Sequence, residues 1–228
     1  MWSDVEMLRS IVITILLAAF AAIPCATAQK ERLNFVPPRI AFAGDIAYPD
    51  LAASGMVQLS VEVNADGYVK SIHTVRDIPS LTSALAEAVQ GWTFTPAFRD
   101  GAAVDSSIAI YAVFNPGVLP NKAITLIPLS WQLASEHPAY ISPEITSAWD
   151  ATYPANAPGG DVVLDLSVNT SGTVVHSAAV YNVPALTNSV ISAANLWKFT
   201  PGTFHGTCIF AHAVAAFVFR EPTIKRAS

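Results

Sequence analysis

Charged residues are scarce in this sequence: they make up 13% of its 228 residues, whereas hydrophobic residues make up 52%. Lys and Arg total 12 against 17 for Asp and Glu, and the basic residues form no cluster. Because nucleic-acid binding needs a basic patch, the sequence predicts no nucleic-acid partner. A disordered chain is excluded as well, since such chains have many charges and few apolar residues.

Long apolar runs are also missing, apart from one of 13 residues at positions 11–23. A membrane-spanning helix needs about 20 apolar residues, so this run is too short for a span. An A-x-A site ending at Ala28 follows it, and this order predicts a secretory signal peptide over residues 1–28, cleaved after Ala28. We therefore expect a periplasmic or secreted protein, with a retained membrane or lipid anchor as the alternative. A start at Met7 rather than Met1 would give a more typical leader.

Cysteine is nearly absent, because the sequence has only Cys25 and Cys208. Cleavage after Ala28 would leave Cys208 alone, and a single thiol forms no internal disulfide. The exported domains are therefore expected to hold together by packing.

What the sequence does contain is an internal repeat with a spacing of 105 residues. Residues 38–116 align with residues 143–221 without a gap, and the copies share identical residues at spaced positions. Examples are Tyr48/Tyr153, Gly55/Gly160, Asn64/Asn169, Gly67/Gly172, Trp92/Trp197, Phe94/Phe199, Pro96/Pro201 and Gly101/Gly206. The repeat predicts two domains of about 80 residues, 38–116 and 143–221, joined by a linker at 117–142.

The periodicity changes in the same order within each copy. Residues 57–63 alternate apolar and polar side chains, an N-x-x-Gly turn follows at 64–67, and residues 68–75 form a second strand. A helical period after Pro79 places Leu81, Leu85, Ala88 and Trp92 on one face, with Ser80 as a possible N-cap. A third strand covers residues 108–114. We predict an α+β fold of two tandem two-layer domains, each a three-stranded antiparallel sheet in the order strand, strand, helix, strand, with its helix on one face.

The order Tyr-Pro, Gly, V-x-L-x-V-x-V, N-x-x-Gly, Pro-x-Leu, Trp-x-Phe-x-Pro and a closing Gly resembles the C-terminal domain of the TonB energy-transducer family. The sequence carries this pattern twice, although Gly202 replaces Ala97 and His205 replaces Asp100 in the second copy. The resemblance implies a non-enzymatic periplasmic module that pairs with a strand-like segment of an outer-membrane transporter.

The last strand of each copy is apolar on both faces, and an edge strand of this kind invites a partner by β-augmentation. The predicted partner-binding residues lie on these strands: Ile108, Ile110, Tyr111, Val113, Val214 and Phe217. An equally good interpretation is that the neighbouring repeat covers the second face. A structural envelope protein whose domains pair with each other or across a homodimer is a further alternative.

Catalytic residues and cofactors are not predicted. No serine lies in G-x-S-x-G and no glycine-rich loop leads into a helix. His205, Cys208 and His212 have a spacing that could supply zinc ligands, but His205 has the opposite strand parity to the other two. The metal or enzyme hypothesis is therefore the weakest one, and we expect no metal, no small-molecule cofactor and no catalytic site.

Overall fold

The computed structural model describes residues 34–49, 54–115, 123–124, 139–154 and 157–220. The predicted signal peptide and Cys25 lie outside these residues, and so does most of the predicted linker. Within the described ranges, no helix has the length and hydropathy needed to cross a membrane.

The first repeat follows the predicted order, with short strands added before its first long strand and between its helix and its last strand. Its elements are β1 (Phe35–Val36), β2 (Arg39–Phe42), β3 (Gly55–Val63), β4 (Val69–Arg76), α1 (Pro79–Gln90), β5 (Thr93–Thr95), β6 (Ala97–Arg99), β7 (Ala102–Val104) and β8 (Ser106–Asn115).

The second repeat reproduces these elements and adds a strand from the linker. Its elements are β9 (Ala123–Ile124), β10 (Tyr140–Ile141), β11 (Glu144–Trp149), β12 (Gly160–Val168), β13 (Val174–Tyr181), α2 (Pro184–Ala194), β14 (Lys198–Thr200), β15 (Thr203–Phe204), β16 (Thr207–Cys208) and β17 (Ala211–Phe219). The matching of β1 with β10 shows that the duplicated unit begins a few residues earlier than position 38.

The N-x-x-Gly turn joins β3 to β4 and also fixes the segment after the helix. The Asn64 side chain accepts hydrogen bonds from the N–H groups of Asp66 and Tyr68, at 3.0 and 2.9 Å. Gly67 has a φ of 86°, and a Cβ there would lie 2.2 Å from the carbonyl oxygen of Phe94. Only glycine fits this close approach, which explains why the turn and the Trp-x-Phe segment occur together in each copy.

Each helix begins at a proline and packs its predicted face against the sheet. In α1 the buried residues are Leu81, Thr82, Leu85 and Val89. The N-cap is Ile78 rather than Ser80, and the Thr82 hydroxyl accepts its N–H at 3.0 Å. Pro79 explains the shift, because proline suits the first position of a helix, where no N–H partner is needed.

The repeated aromatic residues belong to the core, as the sequence predicts. Trp92 and Trp197 are 1% and 0% exposed, while Phe94 and Phe199 are 4% and 5% exposed. Each pair closes the space between the helix and the sheet of its own repeat.

The central sheet differs from the prediction of two separate three-stranded sheets. It has six strands in the order β13-β12-β17-β8-β3-β4, because β17 and β8 pair in parallel where the repeats meet. Two three-stranded antiparallel sheets are present, but they are joined edge to edge into one. The physical reason is that each last strand is apolar on both faces and gains a hydrogen-bonded neighbour of the same kind.

The two helices cover opposite faces of this sheet. On β8, Ile108 and Ile110 pack in the core with α1, whereas Ala109 and Val113 pack in the core with α2. Because successive side chains of a strand point to opposite faces, the helices must lie on opposite sides. Strand β17 alternates in the same way, so each helix covers the last strand of both repeats.

Candidate functional site

The last strands, which the sequence assigns to a partner, lie at the centre of the sheet. Ile110 is opposite Val214, and Val113 is opposite Phe217. All six predicted contact residues are 0–2% exposed: Ile108, Ile110, Tyr111, Val113, Val214 and Phe217. The edge predicted for a partner is thus closed by the other repeat, and this geometry corrects its interpretation as a free edge.

Tyr111 has a structural role that its counterpart 105 residues later, Ala216, cannot have. Its hydroxyl donates to the Pro143 carbonyl at 2.9 Å and accepts the N–H of Ile145 at 3.1 Å. Burial raises the pKa of the Tyr111 hydroxyl. The side chain therefore fixes the start of the second repeat on the sheet of the first.

The outer strands β4 and β13 are the edges of the central sheet, and among the described residues neither has a second neighbour in that sheet. An edge strand presents unpaired N–H and C=O groups on which another strand can pair. The two outer strands are therefore the candidate contact site, and they differ in charge.

Strand β4 carries Lys70 and Arg76. The Lys70 ammonium group donates to Glu62 at 2.9 Å and to Asp105 at 3.0 Å. These hydrogen bonds lower the pKa of the Glu62 and Asp105 carboxyl groups and raise the pKa of Lys70. Charged side chains on an edge oppose pairing with another strand, so β4 has the usual protection of an edge.

Strand β13 lacks this protection. Its sequence, VVHSAAVY, contains no Lys, Arg, Asp or Glu. Val175 is 55% exposed, and His176 and Ala179 are exposed as well. Of the two outer strands, β13 is the one that can accept another strand without displacing a charge.

The end of β13 also touches the first repeat. The Tyr181 hydroxyl donates to Asp45, and the N–H of Ile46 donates to the Asp161 carboxylate at 2.6 Å. Asp161 is 5% exposed, and burial raises its pKa to about 6, with the Asp45 charge acting in the same direction. Two carboxyl groups therefore meet where the repeats join.

A cavity of about 600 Å³ adjoins this contact. Its walls come from the loop after β2, from α1, and from the ends of β12 and β17. Three of its lining residues are acidic: Asp45, Glu87 and Asp161.

The predicted alternative metal ligands are not brought together. His205 lies in a turn with a φ of 47° and its ring contacts Phe204, while the Nδ1 atom of His212 lies 2.9 Å from an oxygen of Asp165. Cys208 is in a disulfide bond, which corrects the expectation of a single free thiol. In the part of the chain that the structure describes, no three His, Cys, Asp or Glu residues form a metal-binding group.

Comparison with protein families tests the resemblance to the TonB C-terminal domain. Residues 46–116 match the family model of the Gram-negative bacterial TonB protein C-terminal. This confirms the resemblance read from the motifs, and the matched range covers most of the first repeat. The TonB-like family is envelope-associated, and its C-terminal domain is a protein-interaction module. Comparison with curated proteins found no match, and comparison with solved structures found none either.

The second repeat lies outside the matched range, but it has the same order of elements as the TonB-like repeat and the same turn. Asn169 accepts the N–H groups of Ser171 and Thr173, and Gly172 has a φ of 76°. Sequence reasoning gave the outer strands no role, although the missing charges of β13 were visible in the sequence. The signal was hidden because only the pairing of β8 with β17 shows which strands are outermost.

Proposed function

We propose that this protein is a non-enzymatic interaction module of the cell envelope that binds an extended segment of a partner by β-augmentation at strand β13. The observation that carries the proposal is the uncharged outer edge of the second repeat. The family match of residues 46–116 supports the envelope setting and the kind of activity. The partner class is an envelope protein, with a TonB-dependent outer-membrane transporter as the leading example, and the location is the periplasm.

The proposed contact lies on an outer strand of the central sheet and not on the last strand of either repeat. A partner strand at β8 or β17 would have to separate the two repeats and expose two strands that are buried on both faces. A strand that adds to β13 leaves every pair of the central sheet intact. Main-chain hydrogen bonds would supply the affinity, and the exposed Val175 would supply a contact for partner side chains.

The duplication offers matched positions for the test. A photo-crosslinking residue is placed at Val175 or Ala179 in β13, and at the matching Lys70 or Thr74 in β4, in the protein expressed in its native envelope. We expect crosslinks to one envelope protein from β13 and far fewer from β4. Ala179→Lys should remove the β13 crosslink from Val175, whereas Thr74→Lys should leave it unchanged.

Equal crosslinking from both edges, or a β13 crosslink that survives Ala179→Lys, would contradict the proposal. Loss of folding is not a concern for these variants, because both positions are exposed. Circular dichroism of each purified variant checks this directly.

A second candidate function is supported by the pairing of β8 with β17. The two last strands, which are apolar on both faces, pair with each other within the chain, as they would in a structural protein that associates mainly with itself. In that case β13 would meet β13 of a second copy. Sedimentation of the purified protein distinguishes the two: a stable dimer that Ala179→Lys dissociates favours self-association over an envelope partner.

A further inference from the structure

The second repeat contains a docked strand that the first repeat lacks. Strand β11 pairs with β14 on one side and with the linker strand β9 on the other, with Ile124 opposite Ala148 and Ala123 opposite Trp149. In the first repeat, β2 pairs with β5 alone within the described residues. The positions matching Ala148 and Trp149 are Ala43 and Gly44, and no described strand pairs with them.

The packing around Gly44 agrees with the absence of a described strand beside it. A Cβ built on Gly44 meets no atom of the described residues within 4 Å. In the second repeat, the Nε1 atom of Trp197 donates to the Trp149 carbonyl at 2.8 Å. The matching atom of Trp92 is buried and has no hydrogen-bond partner among the described residues. In the second repeat, β9 covers the edge of β11, and the Trp149 carbonyl of β11 accepts the indole N–H of Trp197. Within the described residues, the first repeat has neither the covering strand nor the acceptor for Trp92.

The cavity of about 600 Å³ begins directly after Gly44, since its wall includes residues 45–48. Ile124 of the docked strand packs against a core cluster that contains Ala151 and Ala193, the counterparts of Ile46 and Ala88 in the cavity wall. The open space of the first repeat thus corresponds in position to the region that β9 covers in the second.

Charge sets the two positions apart. The cavity of the first repeat has Asp45, Glu87 and Asp161 in its wall. The three residues at the matching positions are Asp150 and Ser192 of the second repeat and Met56 of the first, and only Asp150 of these is charged. The site of the first repeat is therefore the more acidic one, and it fits a segment with positive charge.

We propose that the groove formed by residues 43–45 and the adjoining cavity is a docking site for an extended basic segment of a partner protein. The segment pairs along Ala43 and Gly44 as β9 pairs along β11, and it places a small residue and a branched apolar residue at the mouth of the cavity. A Lys or Arg beside that pair meets the exposed carboxyl groups of Asp45 and Glu87. This site is separate from the β13 edge, so the two contacts can be tested independently.

The chain itself supplies a probe for the experiment. A synthetic peptide with the sequence of residues 121–127, NKAITLI, contains the docked pair Ala123-Ile124 and the preceding Lys122. It is added to the full-length protein while the indole N–H signals are followed by NMR, with the Trp92 signal assigned from Trp92→Phe. We expect the Trp92 signal to move, because docking would bring the Gly44 carbonyl to the position that the Trp149 carbonyl has beside Trp197.

Matched variants test the charge. Glu87→Lys reverses a charge in the cavity wall, whereas Ser83→Lys adds the same charge one helical turn earlier and outside the wall. Glu87→Lys should weaken peptide binding by about fivefold at low salt, and Ser83→Lys by much less. A peptide with Lys122→Glu should bind more weakly than the original. Ala179→Lys in β13 should leave peptide binding unchanged. The experiment therefore distinguishes failure of the proposed β13 contact from failure of the proposed docking groove.

Four results would overturn the proposal. Movement of the Trp149 and Trp197 signals alone would mean that the peptide only displaces the chain's own strand in the second repeat. No movement at millimolar peptide would mean that the groove takes no such segment. Binding that appears only after residues 221–228 are deleted would assign the groove to the chain's own tail. Dissociation of a dimer by the peptide would assign it to a second copy.

Discussion

The two repeats share one framework and differ in what is placed on it. The turn glycines, the Trp-x-Phe segment and the strand order are common to both. The differences lie at the edges. Charges protect β4 but not β13, and within the described ranges a docked strand covers β11 but not β2. A carboxyl group at Asp161 also takes the place that Met56 has in the first repeat. The duplicated residues thus determine the fold, and the diverged ones determine which edges stay available.

The framework is tested first, because its largest effects should be equal in the two repeats. Gly67→Ala and Gly172→Ala would each place a Cβ at 2.2 or 1.8 Å from a carbonyl oxygen, in a backbone of positive φ. We expect each to lower the free energy of unfolding by about 3 kcal/mol or more, measured by urea denaturation.

Gly101→Ala and Gly206→Ala are the controls for this pair, since both have positive φ and open space around the Cβ position. They should cost about 1 kcal/mol. If the control substitutions lower the free energy of unfolding as much as Gly67→Ala and Gly172→Ala do, the close approach to the Trp-x-Phe segment is not the reason for glycine at these positions.

The second test uses the difference between Asp161 and Met56. The pKa of Asp161 is about 6 in the folded protein, against an ordinary value of 3.8. A raised carboxyl pKa means that the folded state holds a proton that the unfolded state releases, so stability falls as the pH rises from about 4 to about 6. Asp161→Asn should therefore stabilise the protein by about 2 kcal/mol at pH 7.5 and by almost nothing near pH 4.

Urea unfolding at the two pH values measures this effect. Met56→Leu, at the matching position of the first repeat, introduces no titrating group and should change stability by the same amount at both pH values. If Asp161→Asn changes the free energy of unfolding by the same amount at pH 4 and at pH 7.5, burial does not raise the pKa of Asp161.

The smallest effect concerns the two tryptophans. Trp197→Phe removes a buried hydrogen bond to the Trp149 carbonyl, whereas Trp92→Phe removes a donor for which the described part of the chain offers no partner. The loss of volume is the same, so Trp197→Phe should cost about 1 kcal/mol more in denaturant unfolding. Equal costs would mean that the two sites are alike in solution and would remove one support of the docking groove.

Much of each repeat could be predicted from its own sequence, because local patterns determine local structure. The alternation in β3, the turn at Asn64 and the face of α1 formed by Leu81 and Leu85 were all correct. The N-cap was placed at Ser80 instead of Ile78, since cap preferences are weaker than the constraint that Pro79 imposes.

The joining of the repeats could not be predicted in the same way. Ile110 and Tyr111 point to opposite faces of β8 and are both apolar, and that pattern fits a partner protein or a second repeat equally well. The choice depends on long-range pairing, which leaves no periodic signal. The candidate site followed from that choice, because the outer strands are known only once the inner ones are paired.

The parallel junction also has a consequence for how the chain matures. Ile110 pairs with Val214, so β8 acquires its neighbour only when the end of the second repeat has arrived. A chain synthesised from its N-terminus presents β8 first, with two apolar faces and an unpaired edge. Pairing between such distant segments is slow and leaves aggregation-prone surface exposed in the meantime. Folding of this protein therefore includes an interval in which the half-made sheet is exposed to aggregation until β17 arrives.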